Sequence, residues 1–378
     1  MKVGFSSCAM QKGQTGVATY IINLLNALQN VDLDNQYQIF VSEDEENLLP
    51  SFHNPHRVYS YPSHWCGAIP NILWHNTSLP KISYQESLDL VHIPTYRRIP
   101  FVKPRKLVAT VHDLFVLKMS KKYGILRHLY HHFFLSNLIN KCDRIITVSH
   151  YTKQDLVELI HYPEEKIDVI YSGVDHETFQ SLNKDSCRKR LEDEQQIHSP
   201  FIVYVSRIEH PAKNHLRLIQ AFEKYKKDQQ SDLQLILCGA DWNRSEEVKE
   251  YASKSSFAKD IRFLGYTSNE TIVDLYNSCE LMIYPSLMEG FGLPIIEAMA
   301  CGAPIACSNT SALKELAENR ALTFSPENID EIAKAIHDGI DSSSQKELRK
   351  IGLDYAKNFH WDKTAYEVIQ SYKKCLIS

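Results

Sequence analysis

The sequence predicts an α/β protein made of two doubly wound, parallel-sheet domains. Three observations carry this. Strand-like and helix-like segments alternate along the whole chain, the pattern of parallel strands covered by helices. The alternation stops at a charged stretch, residues 176–199, and restarts at Pro200-Phe201-Ile202-Val203-Tyr204-Val205. The chain has 378 residues, and at roughly 150 per domain that is enough for two cores.

The elements follow in order. Lys2–Phe5 reads as a strand and Val17–Leu28 as a helix with apolar spacing. Tyr37–Val41, Leu88–Ile93, Lys106–Thr110, Arg144–Val148 and Lys166–Tyr171 are apolar or β-branched runs of strand length. This gives a first domain over 1–175. After the polar linker 176–199, strands are expected from Pro200, at Leu233–Leu237, Ile261–Leu264, Leu281–Tyr284 and Pro304–Cys307. Helices such as Leu216–Lys226 and Thr271–Ser278 lie between them, giving a second domain over 200–360. A last helix, about Thr364–Cys375, follows Trp361.

Composition narrows the function classes. Hydrophobic residues at 43% and charged residues at 23% are ordinary for a globular protein. A net charge of −4 supplies no field to recruit nucleic acid. The nine cysteines include no CxxC pair, which argues for buried, reduced thiols and against zinc. No signal peptide is visible, and no apolar run approaches the roughly 20 residues that span a bilayer. The expected location is the cytoplasm, with peripheral contact on the inner face of the plasma membrane left open. That contact rests on 114–142, which is rich in Lys, Arg and His, lacks acids after Asp113, and interleaves Leu, Tyr and Phe. A basic amphipathic helix binding a membrane surface and a core-facing helix with a solvated basic face fit it equally.

Four constellations can carry chemistry. Strand Lys2–Phe5 leads into Gly13-Gln14-Thr15-Gly16 and then a helix, so backbone amides at Gly16 could meet an anion. The spacing is not GxGxxG, and an ordinary turn explains it as well. His112-Asp113 ends the run KLVATV, where ligand crevices of parallel sheets lie. The pair could orient a reacting hydroxyl, or Asp113 could simply cap a helix. Arg207 follows the strand ending at Val205, and Lys213 lies six residues on, before a helix. Two cations so placed can hold a diphosphate. Glu289-Gly290-Phe291-Gly292-Leu293-Pro294-Ile295-Ile296-Glu297 follows strand Leu281–Tyr284, with Pro294 at a first helical turn. Its carboxylates, Glu289 and Glu297, can accept hydrogen bonds from vicinal diols, or could be a glycosidase acid and nucleophile. Asp32-Leu33-Asp34 matches a DxD metal pattern but sits in a polar turn, where Asp is a turn former.

These residues, in this order, resemble the retaining GT-B glycosyltransferases of family 4, of the bacterial polysaccharide and O-antigen, mannosyltransferase-like type. The segments YVSRIEHPAKNHLRLIQAF and IRFLGYTSNETIVDLYNSCELMIYPSLMEGFGLPIIEAMACGAPIACSN carry the likeness most specifically. LVHIP, VATVHDL, DRIITVSHYTKQDL and the Gly13 to Gly16 loop carry it more loosely. The resemblance implies two Rossmann-like domains facing across a cleft, an acceptor side in 1–175 and a nucleotide-sugar side in 200–360. It also implies that 361–378 returns to the first domain. It would make Arg207 and Lys213 ligands of the donor diphosphate, and Glu289 a sugar ligand. Amides at Gly290, Phe291, Gly292 and Leu293 would also face the sugar, and Glu297 the ribose. Gly16 would bring loop amides to the donor, and His112 would sit at the reacting centre.

The activity so implied is that of a retaining hexosyltransferase acting on a glycan or polyprenyl-linked acceptor. No metal or other cofactor is expected, since the nucleotide sugar is itself a substrate. The strand end VATVHDL resembles that of mannosyltransferases for bacterial polysaccharides, a likeness that implies GDP-mannose and leaves UDP-glucose and dTDP-rhamnose open. WHNTSLP, Trp74–Pro80, resembles a segment of bacterial polysaccharide transferases where acceptor-side loops vary. The competing readings are a sugar-nucleotide epimerase of the same fold and a glycan-binding protein with a degenerate site.

Overall fold

The computed structural model describes residues 1–8, 10, 13, 15–52, 56–118 and 135–377. It divides into two compact units: residues 1–173 together with the segment from Trp361 onward, and Val174–His360.

The first unit opens with β1 (Lys2–Ser6), α1 (Gly16–Val31), β2 (Gln36–Ser42), β3 (Arg57–Tyr61) and α2 (Ala68–Gln85). It continues with β4 (Leu90–Ile93), β5 (Lys106–Val111), β6 (Arg144–Thr147), α3 (His150–Asp155) and β7 (Ile167–Val169). The strands form one sheet in the order β3-β2-β1-β4-β5-β6-β7. Every pairing is parallel. The central strands β4 and β6 are buried at every position, as a sheet covered on both faces requires. The strand order turns outward in both directions from β1 and β4, so the carboxyl ends of these two strands flank the sheet's switch point.

Helix α1 starts because Thr15 caps it, its Oγ1 accepting from the Ala18 amide at 3.2 Å. It buries Tyr20, Ile21, Leu24, Leu25 and Leu28 on one face. Asp32 ends it. Its carboxylate accepts from the Asn35 amide (3.2 Å) and from the Tyr37 hydroxyl (2.5 Å). The aspartate of the DxD pattern is therefore bound up in the turn.

The second unit contains α4 (Lys184–Gln195), β8 (Phe201–Val205), α5 (His215–Gln229), β9 (Gln234–Cys238), α6 (Ser245–Ser253) and β10 (Ile261–Gly265). It goes on through α7 (Asn269–Ser278), β11 (Leu281–Tyr284), α8 (Leu293–Ala300), β12 (Ile305–Ser308) and α9 (Ser311–Ala317). It ends with β13 (Leu322–Phe324), α10 (Ile329–Ile340) and α11 (Ser342–Ala356). Its sheet runs β10-β9-β8-β11-β12-β13, again all parallel, with the switch point between β8 and β11.

The segment expected as a linker, 176–199, belongs to this unit instead. It holds α4, which buries Cys187 and Leu191 against α7 and points its charges outward. Arg190 binds the Asp274 carboxylate through Nε at 2.8 Å. The dense charge of the segment marks one solvated helix face rather than an unpacked connector. Trp74–Pro80, read as part of a variable loop region, lies inside α2.

The chain ends in α12 (Trp361–Ile377), which packs on α1 in the first unit and buries Trp361, Val368, Ile369 and Tyr372. A buried chain of hydrogen bonds ties it in. The Tyr372 hydroxyl meets His92 Nδ1 (2.7 Å), His92 Nε2 meets Thr110 Oγ1 (2.8 Å), and Thr110 Oγ1 meets the Tyr20 hydroxyl (3.3 Å). Burial pushes the His92 pKa down to about 3, so the ring is a neutral link in this chain.

Among the described residues, no helix is long and apolar enough to cross a membrane. Most of the basic stretch in 114–142 lies outside the described residues. Two of its cations are described: Lys118 pairs with Asp155, and Lys141 donates to the Phe101 carbonyl at 2.5 Å. Cys66 is exposed, whereas the other eight free cysteines are buried.

Candidate functional site

The second unit gathers its site at the switch point between β8 and β11. Strand β8 ends at Val205 and delivers Ser206 and Arg207; strand β11 ends at Tyr284 and delivers the loop to Glu289. The two loops are stitched together. The Leu287 amide donates to the Ala212 carbonyl at 3.0 Å, and Asn214 Nδ2 donates to the carbonyls of Pro285 (3.0 Å) and Pro326 (2.7 Å). Beneath them the Tyr204 hydroxyl meets the Lys213 carbonyl at 3.0 Å and Ser286 Oγ at 2.9 Å.

This scaffold joins two residues that are 76 positions apart. Lys213 Nζ donates to Glu289 Oε1 at 2.5 Å. Their side chains are 15% and 12% exposed, so the pair is largely shielded from water yet reachable. The Glu289 amide donates to Ser311 Oγ at 2.9 Å, which fixes the backbone carrying the carboxylate.

Arg207 is held by a different set of partners. Its guanidinium lies over the Trp242 ring, 4.8 Å from the centroid, and Nη2 meets Glu209 Oε2 at 3.3 Å. Trp242, absent from the sequence-based candidates, is half exposed. Its backbone amide donates to the Ile208 carbonyl at 3.0 Å, so the loop after β9 is part of the same rim.

Gly239 makes that approach possible. Its φ is +149°, and a Cβ built there would lie 2.1 Å from the Ser206 oxygen and 3.0 Å from the Arg207 nitrogen. A glycine two residues past the predicted strand Leu233–Leu237 was the available signal, because close backbone contact at a strand's carboxyl end is a glycine's task.

Glu297 sits in α8, away from the ion pair. Among the described residues its carboxylate has no hydrogen-bond or ion-pair partner. Burial pushes its pKa up to about 7. The Tyr276 hydroxyl, whose ionisation is opposed by burial first and by Glu297 second, is buried without a hydrogen-bond partner among the described residues. A partly buried carboxylate with both oxygens unclaimed among the described residues is what a diol ligand needs. Among the described residues the amides of Gly290, Gly292 and Leu293 also lack an acceptor. The space around Gly292 is closed by Leu313 Cδ2, 3.0 Å from a built Cβ, so that glycine serves the packing too. Phe291 is buried, its ring 6.1 Å from that of Phe359.

In the first unit, His112 follows β5. Its Nε2 donates to the Pro94 carbonyl at 3.0 Å, and Tyr20 meets the ring edge-on at 4.8 Å. Burial pushes its pKa down to about 4, giving a neutral imidazole with Nδ1 left as an acceptor. Asp113 Oδ1 accepts from the Phe115 amide at 3.1 Å, the capping role weighed for it above. Gly16 opens α1, and a Cβ there would meet nothing within 4 Å. Packing does not demand glycine at that position.

Two family models match the chain. One, described as Glycosyltransferase Family 4, covers residues 14–178; the other, Glycosyl transferases group 1, covers residues 188–358. The O-antigen chain mannosyltransferase B of Escherichia coli is 28% identical over 277 residues, 72% of this chain and 72% of that protein. The serotype-specific mannosyltransferase WbdA of Escherichia coli is 27% identical over 281 residues, 73% of this chain and 34% of WbdA. The crystal structure of HepE from Anabaena in complex with UDP and glucose matches with a TM-score of 0.77. It covers 99% of this chain and 100% of that one at 18% identity, a likeness of fold. Two doubly wound units, matched in turn by these two models, place the chain among the GT-B glycosyltransferases of family 4.

Proposed function

We propose that the chain transfers mannose from GDP-mannose to a glycan or polyprenyl-linked acceptor in bacterial surface polysaccharide synthesis, with retention of anomeric configuration. The observation that carries the reading is the Lys213–Glu289 pair at the β8/β11 switch point. The similarity to O-antigen mannosyltransferase B supports the choice of sugar and pathway class.

The chemistry follows from charge. Breaking the bond between the sugar's anomeric carbon and the phosphate oxygen leaves negative charge on the diphosphate. Arg207, Lys213 and the amides opening α5 and α8 would stabilise it, a task that needs no metal. The acceptor hydroxyl attacks from the face the diphosphate leaves, and its proton passes to the departing phosphate oxygen. Glu289 then holds sugar hydroxyls, and Glu297 holds the ribose diol. His112, neutral and with Nδ1 open, accepts from a sugar hydroxyl.

The experiment is a donor panel with purified protein, read by thermal shift, by slow hydrolysis and by NMR of the transferred anomer, with and without EDTA. GDP-mannose should be preferred, the α-linkage kept and EDTA without effect. A preference for UDP-glucose or dTDP-rhamnose would replace the sugar. Inversion would overturn the mechanism, and binding of no nucleotide sugar would overturn the whole reading. An epimerase would convert the donor with no acceptor present.

Glu297 gives this site a pH signature. Its carboxyl is raised from about 4.5 to about 7 in the fold, so protonation favours the empty protein. The stability it contributes is full below pH 4.5 and fades as pH rises through 7. Donor binding has the opposite sign, because only the carboxylate accepts from both ribose hydroxyls. Nucleotide affinity should rise about tenfold between pH 6 and pH 8, and Glu297→Gln should bind more weakly with a flat profile. Calorimetry at the two pH values checks it; a pH profile that Glu297→Gln leaves unchanged would remove Glu297 from the site.

A further inference from the structure

The first unit has its own switch point, between β1 and β4, and a cation stands there that no carboxylate among the described residues pairs with. Strand β4 ends at Ile93, and the chain turns through Pro94, Thr95 and Tyr96 to Arg97 and Arg98. Arg98 is partly buried. Its Nε donates to Asn71 Oδ1 at 2.6 Å, and its Nη1 reaches the Arg97 carbonyl at 3.3 Å. Among the described residues, Nη2 has no partner, and no carboxylate pairs with Arg98.

The surroundings hold this guanidinium in place without neutralising it. Asn71 is buried on α2 and donates through Nδ2 to the Tyr61 hydroxyl at 3.3 Å. The Asn71 carbonyl accepts from His75 Nδ1 at 2.7 Å, so His75 Nε2 is the acceptor for Ser6 Oγ–H at 2.9 Å. Ser6 closes the circuit at the end of β1. Burial keeps His75 neutral, its pKa down at about 4, and raises that of Cys8, which neighbours Ser6, Tyr61 and Asn71, to about 11. Every member of the network except Arg98 is therefore uncharged at neutral pH. A fully buried arginine is almost always paired; this one, drawn partly out of water, has no carboxylate partner among the described residues. Here the neighbouring charge is a second arginine, Arg97, which opposes it.

We propose that Arg98, positioned by Asn71 and His75 at the carboxyl ends of β1 and β4, binds an oxyanion carried by the acceptor, either a phosphate or a sugar carboxylate. The planar fork of a guanidinium suits both groups. The inference rests on the transferase reading, which makes the first unit the acceptor side. It adds to that reading a chemical class for the acceptor: an anionic glycan or glycolipid rather than a neutral sugar chain.

The test is calorimetry on the full chain with inorganic phosphate, methyl α-D-glucuronide and the neutral methyl α-D-glucoside as probes. Because phosphate will also enter the diphosphate site, titrations are run with the nucleotide saturating and again in a Lys213→Met background. At least one anionic probe should bind in both settings, and the glucoside should not. Arg98→Gln should weaken that binding at least tenfold, and Arg98→Lys should fall between. An unchanged melting curve in both variants will show that the fold is intact, and unchanged nucleotide affinity that the second unit is unaffected. Phosphate alone binding would identify a phosphorylated acceptor; glucuronide alone, an acidic sugar. Equal binding by Arg98→Gln, or no anion binding at all, would overturn the subsite. Failure of the nucleotide to bind would instead sink the transferase reading, and the Lys213→Met titration would still judge Arg98.

Discussion

Replacing Lys213 by Met should lower kcat/KM by about 10²–10³-fold, because the cation proposed to meet the leaving diphosphate is gone. It should also destabilise the protein by about 1–3 kcal/mol, since Glu289 is left shielded without its partner. Glu289→Gln should show the same two losses. The double variant separates the two effects. With both charges removed, no orphan remains, and stability should return toward that of the parent while transfer stays lost. Melting curves and initial rates on the four proteins form the cycle. Recovery of turnover in the double variant would mean that the pair is a structural clamp and that the chemistry lies elsewhere. The logic depends on the geometry: the pair at 2.5 Å is embedded in loops tied by the Leu287–Ala212 and Asn214–Pro285 bonds, so neither side chain is free to find a substitute.

Gly239→Ala should be the most damaging methyl group in the second unit. The new Cβ would fall 2.1 Å from the Ser206 oxygen and 2.6 Å from its carbonyl carbon. Neither strand end can retreat, because the Ser206 amide is bound to the Cys238 carbonyl at 2.8 Å and the Ile208 amide to the Ala240 carbonyl at 2.9 Å. A loss of at least about 3 kcal/mol is expected, which for a unit of this size lowers Tm by roughly 10 °C. Arg207, the proposed diphosphate ligand, follows Ser206 directly, so nucleotide binding by the folded fraction should weaken as well. Gly16→Ala is the control, because its added methyl meets nothing within 4 Å. If the two variants melt together, the strand ends are softer than the hydrogen bonds between them imply.

Much of this was legible in the sequence. Strand Leu281–Tyr284 was placed to the residue, and β8, β9, β12 and β5 to within one residue at each end, because buried parallel strands are short continuous apolar runs. Strand β3 was missed because RVYSY alternates polar and apolar and is half exposed. Helix α2 was missed for another reason. It contains Pro80, and Asn76 and Thr77 bind back to the carbonyls of Ile72 and Leu73, at 2.7 and 2.8 Å, so its polar residues read as loop. At the site, Lys213 and Glu289 were visible one by one, as a cation and a carboxylate just past strand ends. Their bond was not, because nothing local links positions 76 apart. Nor was the seat of Arg207 on Trp242, which depends on the turn made at Gly239.

The return of α12 to the first unit sets an order of assembly during synthesis. The second unit is contiguous, Val174–His360, and all its strands leave the ribosome before Trp361 does. The first unit must wait. Until α12 emerges, the face of α1 that it covers is bare, and His92 lacks the hydroxyl of Tyr372 that meets it at 2.7 Å. A nascent chain therefore carries an unfinished first core beside a second unit with all its residues in hand, and loss of the final helix would leave it so.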